Sequence, residues 1–299
     1  MTDADPQRVA CMQDLLTDIG QRLASGELVA SEAVCLAVEC MENEPLYNAG
    51  RGSVLDAEGN ISMDASIMRG YDQAAGSVVG LQSSRHPIRA AKRLMENGWP
   101  VMLAGPAGDV FAAENGVEQV EKAWLETQLR RAQWDKWRRD RLRPGATDEE
   151  DALLDHDAEH DGWGTVGAVA LDVHGNLAAA TSTGGMTGKP PGRVGDTPII
   201  GAGTWADKHI AVSCTGVGEA FIRTAAAHTV ASFHQDRSLE SAAEAMLDLV
   251  EPLGGRGGVI AVNQKGEVVM PFRTMLMYRG WYRDGAVDVG IGPSFLQSS

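Results

Sequence analysis

The sequence lacks several features that would assign the protein to other classes. No apolar run approaches the length needed to cross a bilayer, and Met1 to Pro6 lack the basic-then-apolar order of a signal peptide. Basic residues are scarce, 26 against 41 acidic ones, and the resulting formal charge of −15 repels phosphate backbones. We therefore expect neither a membrane nor a nucleic acid among the partners.

Cysteine is also scarce, and the four cysteines show no spacing typical of a metal site or a redox pair. This pattern fits a reducing compartment and predicts a cytoplasmic location. With 43% hydrophobic and 22% charged residues, the composition of the 299 residues is that of an ordinary globular protein. Glycine, in contrast, is abundant, and its clusters mark places where the backbone takes unusual conformations.

Hydrophobic periodicity indicates an α+β fold, with helices packed over two sheets. The first fifty residues predict two helices, the second capped by Ser31. Further helices are predicted after Pro87 and over Val117–Arg141, Glu219–Gln235 and Leu239–Leu253. The predicted strands are Ser53–Leu55, Ile61–Asp64, Gly76–Leu81, Val101–Leu103, Thr165–Leu171, Leu177–Thr183, Ile199–Ile200 and Ile210–Ser213, with hairpins over Gly258–Phe272 and Met277–Gly290.

One segment, residues 144–164, is typical of a linker. A basic helical stretch that ends at Arg143 is followed abruptly by acidic residues from Asp148 to Asp161, with almost no core-forming pattern. Within this segment His156 and His160 have a spacing that a metal could use on a helix. The acidic surroundings favour incidental affinity over a built metal site.

A chemically informative run, Gly-Trp-Gly-Thr-Val-Gly-Ala-Val, follows the linker and contains Gly164 and Thr165. A hydroxyl is a poor nucleophile unless a base removes its proton. Cleavage between Gly164 and Thr165 would place a new α-amine, with an ordinary pKa of about 7.7–8.0, beside the Thr165 hydroxyl as that base. The alternative interpretation is that Thr165 merely begins a buried strand.

Three further clusters complete the chemistry. Thr183 ends the return strand of the predicted hairpin and lies beside Thr165 if the two strands pair. Arg193 and Asp196 are a cation and an anion suited to the carboxylate and ammonium groups of a free amino acid. The run Cys214–Glu219 places a glycine-rich turn at a helix start, where backbone N–H groups can stabilise an oxyanion.

In the order and spacing of these clusters, the sequence resembles the plant-type asparaginase and isoaspartyl peptidase family of N-terminal-nucleophile hydrolases. The resemblance extends from about Ala10 to Trp281. It implies a four-layer αββα sandwich, and self-cleavage into an α subunit (1–164) and a β subunit (165–299) that together form one domain. It also implies a dimer of cleaved αβ units that acts on small molecules and dipeptides.

The resemblance assigns roles to individual residues. Thr165 would be the nucleophile for self-cleavage and for the hydrolysis of isoaspartyl peptides and L-asparagine, supported by Thr183. Arg193 would bind the substrate α-carboxylate, and Asp196 and Gly218 would bind its α-ammonium. Thr215 and Gly216 would form the oxyanion hole, and Asn48 would lie near the nucleophile. No catalytic metal is implied, but the loop Met41–Arg51 resembles one that often binds a structural sodium ion through backbone carbonyls.

The sequence departs from the family in two places. Family members begin with a strand that ends in His-Gly-Gly-Ala-Gly, whereas here Met1 leads almost directly into a helix. We expect slow or incomplete self-cleavage unless another segment, Gly285–Phe295, takes the place of that strand. Phe272–Met277 stands where relatives tend to carry Asn-Thr-Glu-Gly, which affects side-chain specificity. Two alternatives stay open, an uncleaved relative that at most binds amino acids and a glycosylasparaginase-like hydrolase.

Overall fold

A computed structural model describes residues 5–141 and 164–292, and the backbone of residues 295 and 296. The helices are α1 (Asp5–Ala24), α2 (Ala30–Asn43), α3 (Pro87–Asn97), α4 (Pro106–Glu114), α5 (Lys122–Leu125), α6 (Gln128–Arg141), α7 (Gly218–Arg223), α8 (Ala226–His234) and α9 (Leu239–Val250), followed by a 3₁₀ turn (Glu251–Leu253). The strands are β1 (Met63–Arg69), β2 (Ala75–Leu81), β3 (Met102–Ala104), β4 (Val166–Leu171), β5 (Leu177–Thr183), β6 (Thr204–Ala206), β7 (Ile210–Gly216), β8 (Gly257–Asn263), β9 (Val268–Val269), β10 (Arg279–Arg283), β11 (Ala286–Gly290) and β12 (Phe295–Leu296).

Two sheets lie face to face at the centre of the protein. The first has the strand order β3-β2-β1-β5-β4 and the second has the order β6-β7-β8-β9. Helices α2 and α3 pack on the outer face of the first sheet, α8 and α9 pack on the second, and β4 and β5 contact β7 across the interface. The predicted α+β fold and its αββα layering are therefore confirmed.

Small side chains allow this close layering. Strand β5 carries three consecutive alanines, and all of its residues are buried between α2 and the second sheet. The buried alanines of α2 recur at three- and four-residue spacing, so the helix presents a narrow apolar stripe to the sheet. Burial on both faces explains why β5 reads as a continuous strand rather than an alternating one.

The start of α2 differs from the prediction. Ser31 is not the N-cap, because the helix begins at Ala30 and Val29 makes no side-chain cap. Instead the Ala30 N–H donates to Asp172 Oδ2 at 3.0 Å. Asp172 lies in the β4–β5 turn, which is distant in sequence, and this distance explains why the local pattern did not indicate it.

The C-terminal segment also differs from the prediction. The stretch Gly285–Phe295 does not pair with β4, because β11 pairs with β10 and β12 in a separate three-stranded sheet. Asp284 and Gly285 both have positive φ, +52° and +82°, and such a two-residue turn favours the local hairpin. Among the described residues, β4 is consequently the last strand of its sheet.

Several predicted elements are shorter or interrupted. The helix predicted over Val117–Arg141 consists of α5 and α6, and the one over Glu219–Gln235 is divided at Ala225, where φ is +46°. Ser53–Leu55 and Ile199–Ile200 contribute only isolated bridges. None of the described helices is long and apolar enough to cross a membrane.

Candidate active site

Thr165 and Thr183 meet at the open end of the β4–β5 hairpin. The antiparallel register pairs Val166 with Ser182, so the residue before β4 faces the last residue of β5. The Thr165 hydroxyl donates to the Thr183 hydroxyl at 3.2 Å, and Thr183 Oγ1 also accepts the Gly185 N–H at 3.0 Å. The structure thus brings together the two threonines that strand pairing was expected to join.

Asn48 positions the turn that follows Thr183. Its side-chain amide donates to the Gly185 carbonyl at 2.7 Å, and its backbone carbonyl accepts the Gly184 N–H at 2.9 Å. Its side-chain oxygen accepts the Val54 N–H at 3.0 Å, and the residue is 3% exposed. Because both ends of the amide are occupied, Asn48 lies near the nucleophile as a support for the turn.

The turn after β7 adjoins the peptide bond before Thr165. A Cβ atom placed on Gly164 would lie 2.9 Å from Thr215 Oγ1. The Thr215 hydroxyl therefore lies close to Gly164, the residue whose carbonyl group self-cleavage would attack. Gly216 is the last residue of the same strand and shares this position beside Thr165.

The same turn leads directly to the predicted amino-acid clamp. A Cβ atom on Gly218 would lie 2.9 Å from the Asp196 backbone nitrogen and 3.0 Å from Arg193 Nη2. No larger residue fits at this position without displacing one of them. The four residues from Thr215 to Gly218 thus connect the surroundings of Thr165 to the charged pair.

Arg193 has a partner that sequence reasoning missed. Its Nε and Nη2 donate to the two carboxylate oxygens of Glu219 at 2.8 and 2.7 Å. The Arg193 side chain is 14% exposed, and that of Glu219 is 55% exposed. The guanidinium fork is therefore shaped and oriented for a carboxylate, and Glu219 occupies it. Glu219 stands in the predicted Cys214–Glu219 run, but its position there gave no signal of this contact.

Asp196 is buried and electrostatically unusual. The residue is 3% exposed, and its Oδ2 has no hydrogen-bond partner among the described residues. Burial raises the pKa of the Asp196 carboxyl to about 7, although the nearby Arg193 cation opposes the shift. A buried carboxylate that lacks a partner favours a bound cation, and the ammonium of an amino acid has the required charge and donors.

Two charged residues behind Thr183 were not predicted as part of the site. Asp64 on β1 is paired in register with Thr183, and its Oδ2 also lacks a partner among the described residues. Lys189 is 4% exposed and donates from Nζ to the Ser62 carbonyl at 2.7 Å. Burial raises the pKa of Asp64 and lowers that of Lys189. An isolated lysine in a Gly- and Pro-rich loop carries no sequence signal for this position.

The loop Met41–Arg51 is the segment for which the resemblance implied a sodium ion. Gly52, directly after it, has a φ of +98°, and a Cβ atom there would lie 2.6 Å from the Pro45 carbonyl oxygen and 2.7 Å from that of Tyr47. These two carbonyl groups thus pack against the Gly52 backbone, where only glycine fits. Backbone carbonyl oxygens are the kind of ligand that hard cations prefer.

Other predicted features lie outside the described residues. They are the acidic part of the linker, the pair His156 and His160, and the Gly162–Trp163 part of the motif before Thr165. Among the residues that the structure does describe, no three His, Cys, Asp or Glu side chains group together in a way that could hold a metal ion. All four cysteines are free thiols.

Comparisons with known proteins show which proteins the chain is similar to. The model of a family described as asparaginase matches residues 3–291. The isoaspartyl peptidase of Escherichia coli (strain K12) is 43% identical over 274 residues, which cover 89% of this chain and 83% of that protein. The isoaspartyl peptidase/L-asparaginase of Mus musculus is 41% identical over 266 residues, covering 88% of this chain and 78% of that protein.

Proposed function

The chain belongs to the asparaginase family, and on that premise we propose that it is a self-processing amidohydrolase that cleaves isoaspartyl peptides and L-asparagine. The 3.2 Å contact between the Thr165 and Thr183 hydroxyls is the observation that carries the proposal. Cleavage before Thr165 would create a free α-amine on the residue that carries this hydroxyl. The neighbouring Thr215 hydroxyl and the Arg193–Asp196 clamp supply the other parts that amide hydrolysis requires.

In self-cleavage the Thr165 hydroxyl attacks the peptide bond that precedes it. Oγ1 attacks the Gly164 carbonyl carbon, the C–N bond breaks, and an ester joins Gly164 to Thr165 while the proton moves to the new α-amine. Water then hydrolyses the ester and leaves the Gly164 carboxylate and the free Thr165 amine. Thr215 donates to the oxyanion in the first step, a role that the closeness of its hydroxyl to Gly164 supports.

Substrate hydrolysis repeats this chemistry on a bound amide. The neutral α-amine of Thr165 removes the hydroxyl proton as Oγ1 attacks the side-chain carbonyl of the substrate. The proton then passes to the leaving amine as the C–N bond breaks. Water hydrolyses the resulting ester, releases L-aspartate and restores the hydroxyl. Thr183 orients the attacking oxygen through its hydrogen bond.

The clamp explains why a side-chain amide is the expected target. Arg193 and Asp196 together require a free α-carboxylate and a free α-ammonium on one amino acid. An isoaspartyl peptide has both groups free, because its peptide bond is made through the β-carboxyl. In an ordinary α-aspartyl peptide the α-carboxyl is part of the bond and cannot pair with Arg193.

We therefore expect β-Asp-Leu and L-asparagine to be hydrolysed with release of L-aspartate, and α-Asp-Leu to be hydrolysed at least about 100-fold more slowly. Amino-acid analysis after incubation with purified protein measures all three. A protein that stays uncleaved and hydrolyses none of them would support the non-catalytic alternative. Hydrolysis of a glycosylated asparagine in preference to β-Asp-Leu would support the glycosylasparaginase-like alternative.

The pKa of Asp196 predicts how binding depends on pH. Only the ionised carboxylate attracts an ammonium, and a pKa of about 7 means that the charge is lost as the pH falls through 7. We expect the Kd of L-aspartate, measured by calorimetry on the cleaved protein, to rise between pH 8 and pH 6 toward a limit of about tenfold per pH unit. The Asp196→Asn variant should bind weakly with a flatter pH profile. Equal pH slopes in both proteins would contradict this role for Asp196.

Three further statements belong to the same proposal. The loop Met41–Arg51 binds a structural sodium ion through backbone carbonyls, as the resemblance to the family implies. The protein acts in the cytoplasm, supported by its four free thiols. It assembles as a dimer of cleaved αβ units, an assembly that the resemblance to its family implies.

A further inference from the structure

A connected set of hydroxyl groups lies between the two central sheets. We name it the hydroxyl chain, and its members come from four different strands: Ser66 on β1, Thr181 on β5, Thr204 on β6 and Ser213 on β7. The oxygen–oxygen distances are 2.7 Å from Ser66 to Thr204, 2.6 Å from Thr204 to Thr181 and 2.8 Å from Thr181 to Ser213. All four residues are buried, with at most 3% exposure.

The hydroxyl chain stands in an otherwise apolar layer. On each strand the residue two positions away, which shares its face, is buried and hydrophobic: Met68, Ala179, Ala206 and Ala211 belong to one apolar cluster. Burying a hydroxyl is unfavourable unless the hydroxyl finds a hydrogen-bond partner, whereas apolar side chains would fill the same space without that requirement. Hydrogen bonds restrict the position and angle of their partners more narrowly than apolar contacts do. Four hydroxyls in series therefore restrict how the strands lie relative to one another.

One end of the hydroxyl chain lies directly under the reactive groups. Residues two apart on a strand share a face, so Thr181 is one pleat below Thr183 and Ser213 is one pleat below Thr215. Gly167, two residues after Thr165, pairs in register with Thr181. A Cβ atom on Gly167 would overlap the Ser213 hydroxyl. The three strands that hold Thr165, Thr183 and Thr215 thus meet at this end.

The other end holds the segment that contains Asp196. The Ser66 hydroxyl donates to the Thr197 carbonyl at 2.6 Å, and Thr197 directly follows Asp196. Ser77 on β2 donates to the Pro198 carbonyl, so the same short segment is held twice. The Asp196 side chain itself makes no compensating hydrogen bond through Oδ2 within the described part of the chain. The backbone contacts at Thr197 and Pro198 thus contribute to holding Asp196 in place.

We propose that the hydroxyl chain sets the position of Asp196 relative to Thr165 and Thr183. Its four residues are positioning residues, because the proposed function assigns none of them a contact with the substrate or with the reacting atoms. The inference rests on the proposed function, since Asp196 is taken to bind the substrate ammonium. It adds a claim that the proposed function does not contain: the Thr204 hydroxyl controls substrate affinity without touching the substrate.

The test compares Thr204→Val with Thr204→Ser. Valine has nearly the shape of threonine but leaves the Ser66 and Thr181 hydroxyls without their central partner, whereas serine keeps the hydroxyl. We expect Thr204→Val to raise the KM for β-Asp-Leu about tenfold or more with a smaller change in kcat, since displacements of about 1 Å are costly at a binding site. Thr204→Ser should stay within about threefold of wild type in both constants. Melting temperatures of all three proteins are measured in parallel.

The possible outcomes separate the two proposals. If Thr204→Val lowers the Tm but leaves KM and kcat within about threefold of wild type, the hydroxyl chain only stabilises the fold and the inference is wrong. If Thr204→Val does not fold, Ser213→Ala replaces it, with the same expected rise in KM. If the wild type does not hydrolyse β-Asp-Leu, the proposed function fails, and calorimetric binding of L-aspartate then tests the hydroxyl chain. Weaker binding in Thr204→Val than in Thr204→Ser supports it, and equal binding, or none in the wild type, overturns it.

Discussion

On a denaturing gel, purified protein should show two chains, residues 1–164 and 165–299, beside a remainder of uncut chain, because Gly285–Phe295 does not pair with β4. The Thr165→Ala variant should stay a single inactive chain. The reason is that one hydroxyl serves both reactions: without Oγ1 neither the ester at Gly164 nor the acyl-enzyme can form. We expect activity on β-Asp-Leu to fall by at least about 10⁴-fold, as is typical when a nucleophile is removed. Mass spectrometry of the two chains locates the cleaved bond.

Thr165→Ser is the matched control, because serine retains the hydroxyl and, after cleavage, the α-amine. It should cleave itself and retain part of the activity. Wild-type protein that is active while uncut would contradict the mechanism, since the base in substrate turnover is the amine that cleavage releases. Cleavage at another bond would likewise contradict the assignment of Thr165 and the subunit boundary at Gly164.

Substitution of Arg193 should give the second large effect. A charge-assisted contact to a carboxylate contributes about 1.5–3 kcal/mol, so Arg193→Ala should lower kcat/KM for β-Asp-Leu by roughly tenfold to 150-fold. Arg193→Lys should recover only part of this loss, because an ammonium cannot reproduce the two parallel hydrogen bonds that the fork makes to Glu219. Steady-state kinetics on gel-verified, fully cleaved protein give both values.

Glu219→Gln should have the opposite effect on substrate binding to Arg193→Ala. Glu219 occupies the fork that the substrate carboxylate is expected to use, but its side chain is 55% exposed, and exposed ion pairs contribute only about 0–1 kcal/mol. Its removal should lower KM by up to about fivefold, with little change in kcat. If Arg193→Ala leaves kcat/KM unchanged, Arg193 is not the carboxylate ligand. A rise in KM for Glu219→Gln would show that Glu219 supports the fork rather than competing for it.

Local sequence signals were sufficient for the hairpins and for the α+β class. The strand-forming runs and turn residues of β4–β5, β8–β9 and β10–β11 are encoded within a few residues, and each hairpin is present in the structure. Helix boundaries were less predictable. Ala225 interrupts a continuous apolar pattern with a positive φ, and Asp172 replaces Ser31 as the cap of α2 from a distant turn. In both cases tertiary contacts outweigh local propensity.

Some features of the candidate site could likewise be predicted from the sequence, and others could not. Thr165, Thr183, Arg193, Asp196 and the Thr215 turn can be read from the sequence, because the chemistry of each depends on residue type and on strand pairing over a short stretch. Their surroundings cannot, since burial and partner choice arise only when distant segments meet. Arg193 contacts Glu219, and the hydroxyl chain connects four strands, across long distances in the sequence. The pKa of Asp196 is raised by burial, which also requires distant segments to pack together. The identity of the reactive groups is thus a local feature of the sequence. The packing of the sheets decides the pKa of Asp196, the distances between the groups and the contact of Glu219 with the Arg193 fork.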